Sequence, residues 1–210
     1  MIAILGGTFD PVHYGHLRTA IEVKTALGID EIFLLPGYIP PHRDAPAITA
    51  EQRLALLSLA IAPEPGLAID DRELQRKGPS YMVDTLVSLR EQVGNEPVSL
   101  VLGVDAFNQL DQWHHWEKIT DLAHLIIMTR PDYELPQEGT LGTFFSQRQV
   151  TELARLHDEP AGLIVSLSVT RLDISSTKIR QLIAAGMSIR YLLPDTVLDK
   201  IKQEGWYLHQ

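Results

Sequence analysis

The stretch that most restricts this chain is Gly6-Gly7-Thr8-Phe9-Asp10-Pro11-Val12-His13-Tyr14-Gly15-His16, which directly follows the apolar run Ile2-Ala3-Ile4-Leu5. A short run that is apolar throughout suits a strand buried on both faces of a parallel sheet. Two glycines then let the backbone turn sharply and pass close to a ligand with no Cβ in the way. Asp10-Pro11 is a turn signal. From Gly15 onward Leu17, Ala20, Ile21 and Leu27 recur at helical spacing, with Arg18, Glu22 and Lys24 on other faces. The stretch therefore reads as strand, glycine turn and helix start. A helix start presents unpaired N–H groups and the positive end of a dipole, which suit an anion.

His13 and His16 lie three residues apart at that entrance and can face one ligand. Imidazole donates to phosphate oxygens, and near neutral pH it can carry charge. A lone histidine here would read as a cap or an ordinary surface residue. Two of them behind Gly-Gly-Thr point to phosphate. Neither G-x-G-x-x-G nor G-K-[ST] is present, so this is neither a dinucleotide fingerprint nor a Walker A loop.

Strand and helix signals alternate along the rest of the chain, which predicts a βαβ series: a doubly wound, mainly parallel α/β sheet with helices on both faces. Strands are expected at 32–35, 67–69, 98–102, 125–128 and 163–167. Helices are expected from Thr49 (a capping signal with Gln52) to about Ala62, and from Tyr81 to Val93 with Ser80 as N-cap. Two closing helices, 174–185 and 194–204, make a small C-terminal helical part. Residues 132–162 mix Pro, Gly, Gln and Glu, and read as a connection or insertion with a short helix near 147–156. With 210 residues, the expectation is one domain over 1–210. Ligands of such sheets bind beyond the carboxyl ends of the strands at a topological switch point.

Composition narrows the partners. The net charge of −9 speaks against a broad nucleic-acid footprint, while a local cationic cluster can still hold a small anion. The absence of cysteine excludes disulfides, thiolate zinc sites and cysteine nucleophiles. No signal-peptide pattern and no run long enough to span a bilayer stand out, so a cytoplasmic enzyme without membrane or nucleic-acid partners is expected. The oligomeric state, a homo-oligomer included, stays open.

A second anion site is written in Asp173-Ile174-Ser175-Ser176-Thr177-Lys178-Ile179-Arg180. Ser175 or Ser176 can cap a helix, and its free N–H groups, Thr177 and Arg180 can then face phosphate oxygens. Alone, this is as readily a plain capped helix with a solvated basic face. Beside the first stretch it makes a joint phosphate cradle.

Together the two segments resemble the paired signature of the nucleotidyltransferase superfamily, and the chain resembles its bacterial nicotinate-nucleotide adenylyltransferases. Pro40-Pro41-His42-Arg43, Asp71-Arg72-Glu73-Leu74, Pro79-Ser80-Tyr81, Thr85-Leu86, Gly103-x-Asp105, Trp113, Ala123-His124-Leu125-Ile126 and Arg130-Pro131 follow in the family's order. The match covers 1–206 and is poor over 132–162. The resemblance implies a Rossmann-like fold and transfer of the adenylyl group of ATP to nicotinate mononucleotide, releasing pyrophosphate. A phosphate nucleophile needs no general base and no covalent intermediate; alignment and charge stabilisation suffice.

It also implies roles. His13, His16 and Arg180 are the catalytic set, with His16 foremost at the transition state. ATP falls to Gly6, Gly7, Thr8, His13, His16, Gly103, Asp105, Arg130, Ser175, Ser176, Thr177 and Arg180. Within that set Ser175 to Arg180 take the β- and γ-phosphates and Asp105 the ribose, although Asp105 also reads as a helix N-cap. Nicotinate mononucleotide falls to Thr8, Phe9, His42, Arg43, Tyr81, Thr85 and Trp113, the last stacking on the pyridine ring. Mg²⁺ is expected to arrive on the ATP phosphates, with no protein metal site. The pair His114-His115 does not share one helix face and lacks further ligands. The rival readings are an enzyme preferring nicotinamide mononucleotide, one acting on phosphopantetheine, and a non-catalytic nucleotide-binding module. The likeness of His13-x-Gly15-His16 to class I aminoacyl-tRNA synthetases is opposed by the short, acidic chain.

Overall fold

The computed structural model describes residues 1–39, 45–76, 78–129, 135–170 and 172–208. These form a six-stranded sheet in the order β3-β2-β1-β4-β5-β6, in which every adjacent pair is parallel. The strands are β1 (Ile2–Gly7), β2 (Ile32–Pro36), β3 (Leu67–Ile69), β4 (Val98–Gly103), β5 (His124–Thr129) and β6 (Ile164–Ser168). The helices are α1 (Tyr14–Leu27), α2 (Ala50–Ile61), α3 (Arg72–Arg76), α4 (Met82–Val93), α5 (Val104–Phe107), α6 (Ile119–Leu122), α7 (Gly139–Ser146), α8 (Ser176–Ala184) and α9 (Asp195–Glu204). The expected strands are all present.

The strands are apolar throughout because both faces are covered. Alternate side chains go to opposite faces. Ala3 and Leu5 of β1 join Ile32, Leu34, Val101 and Ile126 under α1, α2, α8 and α9. Ile4 joins Leu100, Leu102, Leu125 and Ile127 under α4, α5, α6 and α7. The doubly wound reading is therefore correct in detail. Among the described residues no helix is long and apolar enough to cross a membrane.

Local signals explain most ends. Thr49 Oγ1 accepts from Gln52 N–H at 3.3 Å and Gln52 Oε1 accepts from Thr49 N–H at 2.9 Å, the reciprocal capping box expected for α2. Gly28 ends α1 at φ 64°, a left-handed position that favours glycine. Two expectations change. Ser80 does not cap α4: its Oγ accepts the Tyr38 N–H at 2.8 Å, and Tyr81 occupies the cap position. The helix expected near 147–156 is instead α7, with a 3-10 turn at Leu153–His157. The cause is an apolar face, Leu141, Phe144 and Phe145, buried against the second side of the sheet.

Candidate active site

The chain's path reverses between β1 and β4: β2 and β3 lie to one side, β4, β5 and β6 to the other. The carboxyl ends Gly7 and Gly103 flank this switch point, where such sheets bind ligands. The glycines there are explained by what surrounds them. A Cβ on Gly7 would lie 2.8 Å from the Phe9 ring, one on Gly15 would lie 2.9 Å from the His13 ring, and one on Gly103 would lie 2.5 Å from Asp105 Oδ1.

His13 is the N-cap of α1, and its backbone N–H donates to His16 Nδ1 at 3.3 Å. The two imidazoles stack with centroids 3.7 Å apart, and the Phe9 ring meets His16 edge-on at 4.9 Å. Both histidines therefore share one small volume at the helix entrance. Their electrostatics differ from the simplest expectation. His13 is only 5% exposed, and burial lowers its pKa to about 4, so near neutral pH its imidazole is uncharged. Among the described residues its Nδ1 has no hydrogen-bond partner. Phe9, expected against the acceptor, has its ring buried in the core at φ 50°, edge-on to His16.

The segment from Ser175 to Arg180 sits directly against the first. Ser175 caps α8 by accepting the Lys178 N–H at 3.2 Å. Ser176 Oγ donates to the Pro11 carbonyl at 2.8 Å, and Arg180 Nη1 donates to the Asp10 carbonyl at 2.8 Å. Thr177 is exposed beside them. Two helix entrances more than 150 residues apart in the chain, since Ser176 follows Pro11 by 165 positions, thus open onto one place.

Asp105 is exposed in the first turn of α5, while the cap position belongs to Gly103; the N-cap alternative for Asp105 is thereby set aside. On the other side of β1, Gly6 leaves room for Met82: a Cβ there would be 3.3 Å from Met82 Cε. That brings the start of α4 to the glycine turn. The Tyr81 ring lies 4.5 Å from His114, next to Trp113, so Tyr81 and the Trp113 segment meet. Trp113 is half-buried, whereas Trp116 packs edge-on against Phe144 at 5.0 Å. Thr85 is placed differently from expectation. It is 0% exposed, and its hydroxyl donates to Glu73 Oε1 at 2.6 Å while accepting from Arg76 Nη2 at 3.2 Å. Val83, Thr85, Leu86 and Leu89 are the buried residues of α4, so the Thr85 side chain faces the interior. His42, Arg43 and Arg130 lie outside the described residues. Among the described residues there is no group of three or more His, Cys, Asp or Glu placed to hold a metal ion.

Sequence reasoning passed over several residues that build the site. Arg53 is 1% exposed; it donates to the Thr8 carbonyl at 2.7 Å and the Tyr38 carbonyl at 3.1 Å, clamping together the loops after β1 and β2. Its signal was present, since Arg53 falls in the stripe of Ala50, Leu56, Leu57 and Ala60 on the buried side of α2. Asp10 is 4% exposed, with Oδ1 receiving the Tyr207 hydroxyl at 2.9 Å and Oδ2 the Ala47 N–H at 2.8 Å. Burial first, then the nearby Asp10 charge, push the Tyr207 hydroxyl above the usual phenol range, so it stays a proton donor.

Comparison with known proteins points to a family. A cytidylyltransferase-like family model matches residues 4–182. The chain is 48% identical over 208 residues to a protein of Methylococcus capsulatus named probable nicotinate-nucleotide adenylyltransferase, covering 99% of each chain. A protein of the same name from Chromohalobacter salexigens is 45% identical over 208 residues, covering 98% of this chain and 95% of that one. Among solved structures, the Plasmodium falciparum nicotinic acid mononucleotide adenylyltransferase complexed with NaAD superposes with a TM-score of 0.73 at 19% identity, covering 98% of this chain and 96% of that one. At that identity the likeness concerns the fold.

Proposed function

We infer the reaction from the family: the chain belongs to the nicotinate-nucleotide adenylyltransferases of the cytidylyltransferase-like family. It transfers the adenylyl group of ATP to nicotinate mononucleotide, giving nicotinate adenine dinucleotide and pyrophosphate in NAD biosynthesis. The observation that carries the mechanism is the direct join of the two helix entrances, Ser176 to Pro11 and Arg180 to Asp10, at the switch point of the sheet. One polyphosphate spans both.

In this reading the mononucleotide phosphate attacks the α-phosphorus of ATP in line. An O–P bond forms to the acceptor and the bond to the β-phosphate bridging oxygen breaks, so pyrophosphate leaves with its electron pair. His16, the α1 N–H groups and the backbone after Gly6-Gly7 stabilise the charge that builds on the α-phosphate. An uncharged His13 acts as a hydrogen-bonding group there, not as a cation. Ser175, Thr177 and the donors of Arg180 not used on Asp10 hold the β- and γ-phosphates. Ser176 contributes by fixing the Pro11 carbonyl. Asp105, beside Gly103, accepts from the ribose hydroxyls. Trp113 and Tyr81 form the wall for the pyridine ring, and the Thr85 hydroxyl, 3.4 Å from the Tyr81 carbonyl, sits behind it. Mg²⁺ enters as part of the ATP substrate, held by phosphate oxygens and water. This reading places the reaction in the cytoplasm.

The test offers purified protein Mg-ATP with nicotinate mononucleotide, nicotinamide mononucleotide or phosphopantetheine, and measures pyrophosphate release. The expected result is turnover with the nicotinate form, exceeding that with the other two. Release only with phosphopantetheine would sink the assignment.

A further inference from the structure

We propose that Asp10 is a positioning residue for adenylyl transfer, set in place by Tyr207 from the C-terminal tail; the proposal rests on the reaction inferred above. Asp10 is where three distant segments converge. Its Oδ2 receives the Ala47 N–H at 2.8 Å, from the end of the connection leading to α2. Its Oδ1 receives the Tyr207 hydroxyl at 2.9 Å, from the turn after α9, 197 positions away. Its carbonyl receives Arg180 Nη1 at 2.8 Å, and the same nitrogen lies 3.7 Å from Oδ2.

Two features make this more than packing. First, Asp10 adjoins Pro11, whose carbonyl holds Ser176, so the residue sits on the seam between the two phosphate-holding segments. Second, it shares Arg180 with the substrate. The Arg180 side chain is 26% exposed, and its position is set jointly by the Asp10 carbonyl and carboxylate. Shifting Asp10 therefore turns a guanidinium proposed to hold the leaving pyrophosphate. Small misplacements of aligned groups cost far more in rate than in binding. Tyr207 touches no proposed ligand position; it acts by fixing the carboxylate. Its ring is buried in the first core cluster, so removing only the hydroxyl leaves the packing in place.

The experiment measures kcat and KM for both substrates, together with urea midpoints, in wild type, Tyr207→Phe, Asp10→Asn and the double variant. Tyr207→Phe is expected to lower kcat about tenfold with both KM values within about twofold, read at denaturant-free conditions where it is fully folded. In the Asp10→Asn background the same change should have no further effect on kcat, since both act through one carboxylate. A merely structural tyrosine would move the urea midpoint and leave kcat and the coupling alone, and that result overturns the proposal. If Asp10→Asn does not fold, the kcat of Tyr207→Phe decides by itself. Wild type without pyrophosphate release would remove the inferred reaction and this proposal together, whereas an active wild type beside an unaltered Tyr207→Phe removes the proposal alone.

Discussion

His13 shows how a residue's environment can override its reference chemistry. Free imidazole titrates near neutrality, but here burial holds the folded-state pKa at about 4 against a usual 6.5. Above the higher value neither state is protonated and the residue has no pH effect. Between the two, the unfolded chain binds a proton that the folded chain does not, so stability falls as pH drops through that window. His13 alone should remove about 2 kcal/mol between pH 7 and pH 5. His124, also lowered chiefly by burial, acts in the same direction. Urea denaturation of wild type and His13→Asn at both pH values checks this: the variant's stability should depend less steeply on pH. Equal pH dependence in the two proteins would contradict a buried, uncharged His13.

At the scale of elements, α3 and α4 are joined by a buried polar contact where an apolar one might be expected. Thr85 Oγ1 donates to Glu73 Oε1 at 2.6 Å inside the second face of the fold. Glu73 is itself buried, so the hydroxyl helps to compensate a carboxylate taken out of water. Thr85→Val keeps the shape and removes the donor. The expected cost is about 1–3 kcal/mol in urea denaturation, the range for leaving a buried acceptor unsatisfied. Glu73→Gln combined with Thr85→Val should cost less than the sum of the single changes. An unchanged midpoint in Thr85→Val would show that the contact contributes nothing. The same stripe logic explains the direction of the Thr85 side chain: its position in the α4 repeat turns it inward.

At the scale of the molecule, the site and the fold are closed by the same bonds. Ser176 to Pro11, Arg180 to Asp10 and Tyr207 to Asp10 join residues 165, 170 and 197 positions apart. A chain tied end to end across its site should unfold as one cooperative domain, despite exceeding the size at which this is the rule. Trp206 packs on one side of the sheet, while Trp113 and Trp116 pack on the other. Fluorescence of a Trp206→Phe variant and far-UV circular dichroism should therefore report a single urea midpoint. Two separated midpoints would divide the chain into independently stable parts.

Much of this was legible beforehand. Ile2 to His16 specified strand, glycine turn and helix entrance, because glycine freedom, apolar runs and helical periodicity are local properties. Ser175 to Arg180 specified the second helix entrance for the same reason. Chain order supplied the parallel, doubly wound sheet, since alternating elements admit few other arrangements. The short range of these signals is also their limit. Leu141, Phe144 and Phe145 were masked by the Pro- and Gly-rich composition around them, and only the exposed second face of the sheet gave them a place to go. The protonation of His13 depended on burial, and the inward turn of Thr85 on a buried Glu73. Asp10 shows the division most plainly. Its sequence neighbours mark a turn, but its partners Ala47, Arg180 and Tyr207 come from across the chain, and only tertiary structure could bring a tail tyrosine to the loop after β1.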